Sequence, residues 1–222
     1  MLKPTLKLSL KRSVYKNRRV LITSGPTSVA MDDMRVLTNR STGAMGRLLA
    51  QAFAARGADV TLLQGAVTAD IKAPQGIKIV PFFFYDELAA ALKRELIKKP
   101  EIVLHAAAIS DFKPLKSFKG KLRSGEKITL ELVPTRKLVT GIKALAPQAK
   151  LVGFKFESSI AKPGILNKVA PLFKDAKCDL VVANTQKGSA YKAFVISPDG
   201  STTALVSSKQ ALVSMLMGVM EI

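Results

Sequence analysis

The chain has 222 residues, of which 48% are hydrophobic and 23% charged, enough to bury one sizeable core as a single domain. Its 35 basic residues against 16 acidic ones give a formal charge of +19, which raises nucleic acid or a polyanionic small molecule as a partner. One cysteine and one histidine exclude an intramolecular disulfide and leave zinc clusters and catalytic triads unsupported, and no apolar run reaches the roughly 18 to 20 residues of a membrane helix.

The N-terminal stretch MLKPTLKLSLKRSVYKNRR is basic and lacks the continuous apolar core of a secretory signal. Residues 1–17 therefore read as a mobile or loosely docked extension, and 18–222 as one domain. VLIT at 20–23 is a short β-branched run stopped by Ser24, Gly25 and Pro26, which predicts a strand. No helix can begin before about Thr42, so the connection is far longer than the usual 2 to 6 or so residues, and loops of that length in α/β units bind something. Ser41 and Thr42 are the expected N-caps, Gly43 and Gly46 permit close approach, and Met45, Leu48, Leu49, Ala52 and Phe53 supply the apolar helix face. The free N–H groups and positive dipole end over 41–44 suit an anion; equally, the two glycines serve only helix packing. The spacing is not the dinucleotide GxGxxG, which disfavours a plain Rossmann dehydrogenase.

A second strand runs to Gly65, followed by a strand near 77–81, a helix over 85–98 and a strand over 101–106. His105 ends that strand, either packed or touching a ligand, with packing the simpler reading. A basic loop, 113–125, leads to an alternating strand, 127–133, and a helix over 136–145. Strand 151–156, helix 165–174 and strand 179–184 follow. The run AFVISPDGSTTALVS predicts a hairpin turning at Pro198-Asp199-Gly200, and helix 209–220 closes the chain. Cys178, entering an apolar strand, reads as a buried thiol, and Met215, Met217 and Met220 as core filler.

This alternation predicts an α/β, Rossmann-like three-layer domain with a mainly parallel doubly wound sheet, whose ligands gather outside the carboxyl ends of the strands. Gly25, Thr27, the segment His105 to Asp111, Phe154, Lys155 and Asn184 all fall at such ends.

SGPTS at 24–28, Asp32-x-x-Arg35 and TNRSTGAMG at 38–46 together resemble the opening of the phosphopantothenate–cysteine ligase family of coenzyme A biosynthesis. HAAAISDFKP at 105–114, GKLRSGEKITLELVPTRKLV at 120–139, LVGFKFES at 151–158 and DLVVANT at 179–185 resemble its later motifs, in order, so the likeness spans roughly residues 18 to 220. The resemblance implies that a nucleoside triphosphate, CTP or ATP, activates 4'-phosphopantothenate as an acyl nucleotidylate, and that the amine of L-cysteine then displaces the nucleoside monophosphate.

It also implies roles. Lys121 falls at the flap lysine that contacts the triphosphate, and Asn39 at the asparagine that holds the acyl intermediate. Gly25, Thr27, Ser41, Thr42, Gly43, His105, Ala106, Ala107, Asp111, Arg136, Lys137, Leu138, Val139 and Phe154 correspond to the nucleotide side. Arg35, Lys155 and Asn184 correspond to the substrate side. Ala44 stands where a basic residue is common, leaving Arg40 or Arg47 to compensate. Ala176 stands where a lysine is usual, leaving Lys174 or Lys177. Phe156 and Glu157 replace a small Ala-Ala pair, a variant seen in eukaryotic and some free-standing forms.

Mg2+ is expected mainly on the phosphates, with Asp111 at most as its protein ligand. A homodimer formed through the flap and hairpin region, a cytoplasmic location and a flavin-binding decarboxylase on a separate chain complete the expectation. The alternatives are a basic nucleic-acid-binding α/β protein and an inactive nucleotide-binding relative. Against the former, the basic cluster from Lys113 to Lys127 has only Phe112 and Phe118 as aromatic companions, and no helix-turn-helix, zinc-finger or RNA-recognition signature appears.

Overall fold

A computed structural model describes residues 14–67, 76–161 and 164–220. In chain order its elements are β1 (Arg19–Ser24), β2 (Ser28–Ala30), β3 (Val36–Thr38), α1 (Ala44–Ala54), β4 (Asp59–Gly65), β5 (Ile77–Phe82), α2 (Tyr85–Leu96), β6 (Ile102–His105) and β7 (Phe112–Pro114). There follow β8 (Leu132–Pro134), a 3-10 turn over Leu138–Gly141, α3 (Ile142–Leu145), β9 (Lys150–Phe156), α4 (Gly164–Lys174), β10 (Leu180–Lys187), β11 (Ala190–Ile196) and α5 (Lys209–Met220).

Seven strands form one sheet in the order β11-β10-β9-β6-β1-β4-β5. All its pairings are parallel except that of β11 with β10. Strands covered on both faces read as continuous apolar runs, as in Val20, Leu21 and Ile22 of β1, none more than 2% exposed. One core packs α1 and α5 on one face, through Leu49, Phe53, Leu212 and Leu216. The other packs α2, α3 and α4 on the opposite face, through Leu88, Leu92, Ile142 and Val169. This is the expected three-layer, doubly wound arrangement.

Tyr15 belongs to the first core, its ring edge-on to Phe53 and its hydroxyl donating to the Met217 carbonyl at 3.2 Å. The end of the predicted extension is therefore docked, and its basic residues before 14 lie outside the described residues.

Five expectations need correction. Helix α1 starts at Ala44, and its N-cap is Gly43 at φ 66°, with no side-chain cap bond. In this left-handed turn, which glycine tolerates, the hydroxyls of Ser41 and Thr42 accept only from the amides of Gly43 and Ala44, at 3.4 Å each. The loop from 25 to 43 carries its own antiparallel pair, β2 with β3. The strand expected over 127–133 is reduced to β8, paired with β7, because 127–131 has no strand beside it among the described residues.

The helix expected from 136 starts later, because its first residues are held open: Thr135 N–H donates to the Asp111 carbonyl at 2.9 Å, its hydroxyl to the Ser110 carbonyl at 2.6 Å, and the Tyr85 hydroxyl to the Arg136 carbonyl at 2.5 Å. The Pro-Asp-Gly turn forms, but the strand before it is already β11 on β10, leaving only bridges at Ala193–Val206 and Ile196–Thr202.

Candidate functional site

Between β1 and β6 the sheet reverses its winding, β1 leading to β4 on one side and β6 to β9 on the other. At such a switch point the two loops diverge and leave a crevice. Here its floor is sewn shut below. Ala106 N–H donates to the Thr23 carbonyl, Thr27 N–H to the Ala108 carbonyl and Ala108 N–H to the Gly25 carbonyl, at 2.9 to 3.2 Å. Buried Thr27 and Ser110 add side-chain bonds across the same seam. Thr27 is thus fully buried with its hydroxyl engaged, which makes it part of the floor.

Above the floor, Asn39 is exposed and donates its amide to the Ala108 carbonyl at 3.1 Å. Ser24 donates to the Gly43 carbonyl at 2.9 Å, fixing the start of α1 against β1. A Cβ on Gly25 would lie 2.8 Å from Gln64 Nε2, and one on Gly43 3.0 Å from Ser24 Oγ, so both positions require glycine for close approach as well as for positive φ. No acidic residue occupies the first turn of α1. Arg47 folds back so that Nη1 lies 2.7 Å from the Thr42 carbonyl, placing a cation at the helix start despite Ala44.

His105 is the last residue of β6, 7% exposed. Its Nδ1 lies 3.2 Å from the Thr23 hydroxyl, which also accepts from Ala107 N–H at 3.1 Å. Its Nε2 is buried without a hydrogen-bond partner among the described residues. Burial pushes the imidazole down to about 4, so it is neutral at physiological pH, a packed strand end. Burial likewise pushes the Cys178 thiol up to about 12, which fits an inert thiol.

Asp111 and Lys137 form an exposed ion pair at 2.5 Å on the rim. Leu138 and Val139 pack against the α2–α4 face. His105 pairs with Gly153, so Phe154 is the first residue of β9 beyond the end of β6. The Phe154 ring packs toward the α1–α5 face, while Lys155, which must point the opposite way, pairs with Glu157 at 3.3 Å. Asn184 stands opposite Phe156 on β10.

The flap residues around Lys121 are held by the loop after β2. Asp32 accepts Leu122 N–H at 3.1 Å, Asp33 accepts Gly120 N–H at 2.8 Å, and Arg35 donates to the Leu122 carbonyl at 3.0 Å. Arg35 is thereby committed to Asp32, at 3.5 Å, and the flap base.

Lys174 and Lys177 are not brought here. A crossover helix between parallel strands ends beside the start of the next strand, and Asp179, just after them, bonds Leu151 at the beginning of β9. Lys174 instead lines a cavity of about 400 Å³ with Phe173, Ile196 and Pro198, at the opposite end of the sheet. Ser24, Ser110 and Thr135, which build the floor and rim, lay inside the quoted motifs without a role, since their partners are distant in sequence. Among the described residues no three His, Cys, Asp or Glu side chains cluster as a metal site, and none of the helices is long and apolar enough to cross a membrane.

The fold and this edge define a doubly wound α/β protein with a crevice at its switch point and a basic flap held against the loop after β2. Residues 15–220 match the family model for the DNA/pantothenate metabolism flavoprotein C-terminal domain, and the chain belongs to that family. It is 36% identical over 173 residues to the coenzyme A biosynthesis bifunctional protein CoaBC of Thermococcus kodakarensis, covering 78% of this chain and 42% of that protein. The chain spans about half the length of the curated relatives it matches. In fold it is similar to the DNA/pantothenate metabolism flavoprotein of Streptococcus pneumoniae, with a TM-score of 0.82 at 20% identity, covering 92% of this chain and 98% of that one. It is also similar to a Cab2 mutant in complex with phosphopantothenate-cysteine, with a TM-score of 0.76 at 20% identity, covering 94% and 88%.

Proposed function

We propose that this chain joins 4'-phosphopantothenate to L-cysteine at the expense of CTP or ATP. The observation that carries the reading is that Asn39, the start of α1, the segment Ala106 to Asp111 and Phe154 all lie at the carboxyl ends of the strands around one switch point, in a chain whose relatives include coenzyme A biosynthesis proteins.

A phosphopantothenate carboxylate oxygen attacks the α-phosphorus, pyrophosphate leaves, and an acyl nucleotidylate forms. The cysteine amine then attacks the acyl carbon, forming the amide, while the nucleoside monophosphate departs and the nitrogen loses its proton. Carboxylates are poor electrophiles, so the site must neutralise triphosphate charge, align two reactants and keep water from the mixed anhydride. Lys121, Arg47 and the α1 amides serve the first need, with Ser41, Thr42 and Gly43 shaping the helix start. Ala106 and Ala107 leave room for a base against the main chain beside Phe154. Asn39 holds the intermediate; Lys155 and Asn184 are assigned to the substrate side, as is Arg35, whose guanidinium is held by Asp32 and the Leu122 carbonyl. The residues fit Mg2+ only as an ion carried on the phosphates: Asp111 is the carboxylate on this rim, and it is already paired with Lys137.

Phe112, Leu115, Phe118, Ile128 and Leu132 leave the flap region with exposed apolar surface, which supports a homodimer formed there. A role in coenzyme A biosynthesis fits a cytoplasmic location.

The test is turnover with CTP and with ATP. Pyrophosphate release is expected to require phosphopantothenate, and nucleoside monophosphate release to require cysteine. Absence of both with every nucleotide overturns the reading. Salt-sensitive binding of nucleic acid in place of turnover would favour the basic-protein alternative that the +19 charge raises.

A further inference from the structure

The flap does not hang freely from β7. Ser117 donates to the Ala30 carbonyl at 3.3 Å, Phe118 N–H to the Met31 carbonyl at 3.0 Å, and Asp33 N–H to the Gly120 carbonyl at 3.3 Å. Gly120 N–H returns to the Asp33 carboxylate at 2.8 Å. Segment 117–122 thus runs along segment 30–35, and both neighbours of Lys121 are gripped through their main chain.

The tightest grip comes from Asp32. Its side chain is 0% exposed; one oxygen accepts the amides of Met34 and Arg35 at 2.8 and 2.6 Å, and the other accepts Leu122 N–H at 3.1 Å. Burial alone would raise its pKa, but the amides of Leu122, Met34 and Arg35 and the Arg35 charge together hold it below the ordinary aspartate value. A buried carboxylate whose second oxygen reaches across to another loop does more than close its own turn, for which one oxygen suffices.

We infer that Asp32, seconded by Asp33, is a positioning residue for Lys121, clasping Gly120 and Leu122 so that the lysine is presented to the triphosphate. This rests on the ligase reading. A long lysine side chain on a loose loop would spread its charge over many positions, and an ångström of misplacement costs on the order of a hundredfold in rate. The clasp removes that freedom in advance of binding.

The experiment is a double-mutant cycle read by single-turnover product formation, which resolves the residual rates of weak variants. Asp32→Asn retains one acceptor but sets an N–H against one of the N–H groups the carboxylate held. Product formation is expected to fall roughly ten- to a hundredfold. In a Lys121→Ala background the same change is expected to cost less than about twofold, because the positioned group is gone. Asp33→Ala, which disturbs no buried group, is expected to show the same pattern more weakly, and it carries the test if Asp32→Asn does not fold. Amide exchange at Gly120 and Leu122 should accelerate in both variants while the β-sheet amides stay protected. Equal losses with and without Lys121, or unchanged flap exchange, overturn the inference. If the wild-type chain turns over neither nucleotide, the ligase reading fails and the positioning role with it; faster flap exchange in the variants then marks the clasp as purely structural.

Discussion

Thr27 and Ser110 close a buried ring of hydrogen bonds across the floor of the crevice: Ser110 N–H donates to the Thr27 hydroxyl at 2.8 Å, that hydroxyl donates to Ser110 Oγ at 3.1 Å, and Ser110 Oγ donates back to the Thr27 carbonyl at 3.1 Å. Every polar atom has a partner, so removing one hydroxyl strands the others in a dry place. Thr27→Val keeps the shape and is expected to cost about 1 to 3 kcal/mol, read by chemical denaturation. Ser110→Ala should cost a similar amount. The double variant should lose clearly less than the sum, since the second change removes groups the first had already orphaned. Strict additivity would show that the two residues act apart.

Gly46 answers whether the helix glycines serve a ligand or packing. A Cβ there would lie 2.4 Å from Ser24 Cβ and 3.1 Å from Ser24 Cα, which no rotamer can relieve, so α1 would have to lift from β1. Gly46→Ala gains about 1 kcal/mol of helix propensity but is expected to lose more, about 1 to 3 kcal/mol net, to overpacking. Gly218, exposed in α5 with nothing within 4 Å of its Cβ position, is the control: Gly218→Ala should stabilise by up to about 1 kcal/mol. Melting temperatures shifted in opposite directions are the expected outcome.

His105 sets a window of acid sensitivity. Its folded pKa of about 4 lies below the ordinary 6.5 because burial disfavours the cation. Above pH 6.5 both folded and unfolded chains hold it neutral and nothing is lost. As pH falls from 6.5 the unfolded chain takes up a proton that the folded chain refuses, and stability drops until pH reaches about 4. The full loss is on the order of 3 kcal/mol. Stability measured by denaturant between pH 7 and 4 should fall with the uptake of one proton on unfolding, and His105→Gln should flatten that segment while the lower-pH loss from the carboxylates persists. An unchanged slope would place the histidine in solvent.

The strands were legible because burial on both faces leaves unbroken apolar runs such as VLIT and IVLH, and α5 because its apolar face is periodic. The edge that gathers Gly25, His105, Asp111 and Phe154 followed from alternation alone. Non-local bonds defeated the rest. The start of the expected helix at 136 is held extended by Thr135 and Tyr85, whose partners lie up to 51 residues away. Ser41 looks like a cap, yet the left-handed Gly43 moves the helix start past it. Lys174 and Lys177 rest on the family resemblance, as the lysines nearest the position that Ala176 occupies, and such a likeness carries no information about which end of the sheet a crossover helix finishes at.

Asn39 and Lys121 should separate the two half-reactions. Lysine charge matters while a triphosphate is present, so Lys121→Ala is expected to lower pyrophosphate release and product formation together, by about a hundredfold or more. Asn39 is exposed and tethered through its amide nitrogen to the Ala108 carbonyl, which leaves its side-chain oxygen available over the crevice floor. An amide that donates and accepts suits a mixed anhydride more than it suits a triphosphate. Asn39→Ala is therefore expected to retain phosphopantothenate-dependent pyrophosphate release while cysteine-dependent product falls about a hundredfold or more. Parallel assays of pyrophosphate and nucleoside monophosphate distinguish the two variants, and equal loss of both signals in Asn39→Ala would assign the residue to the activation step instead.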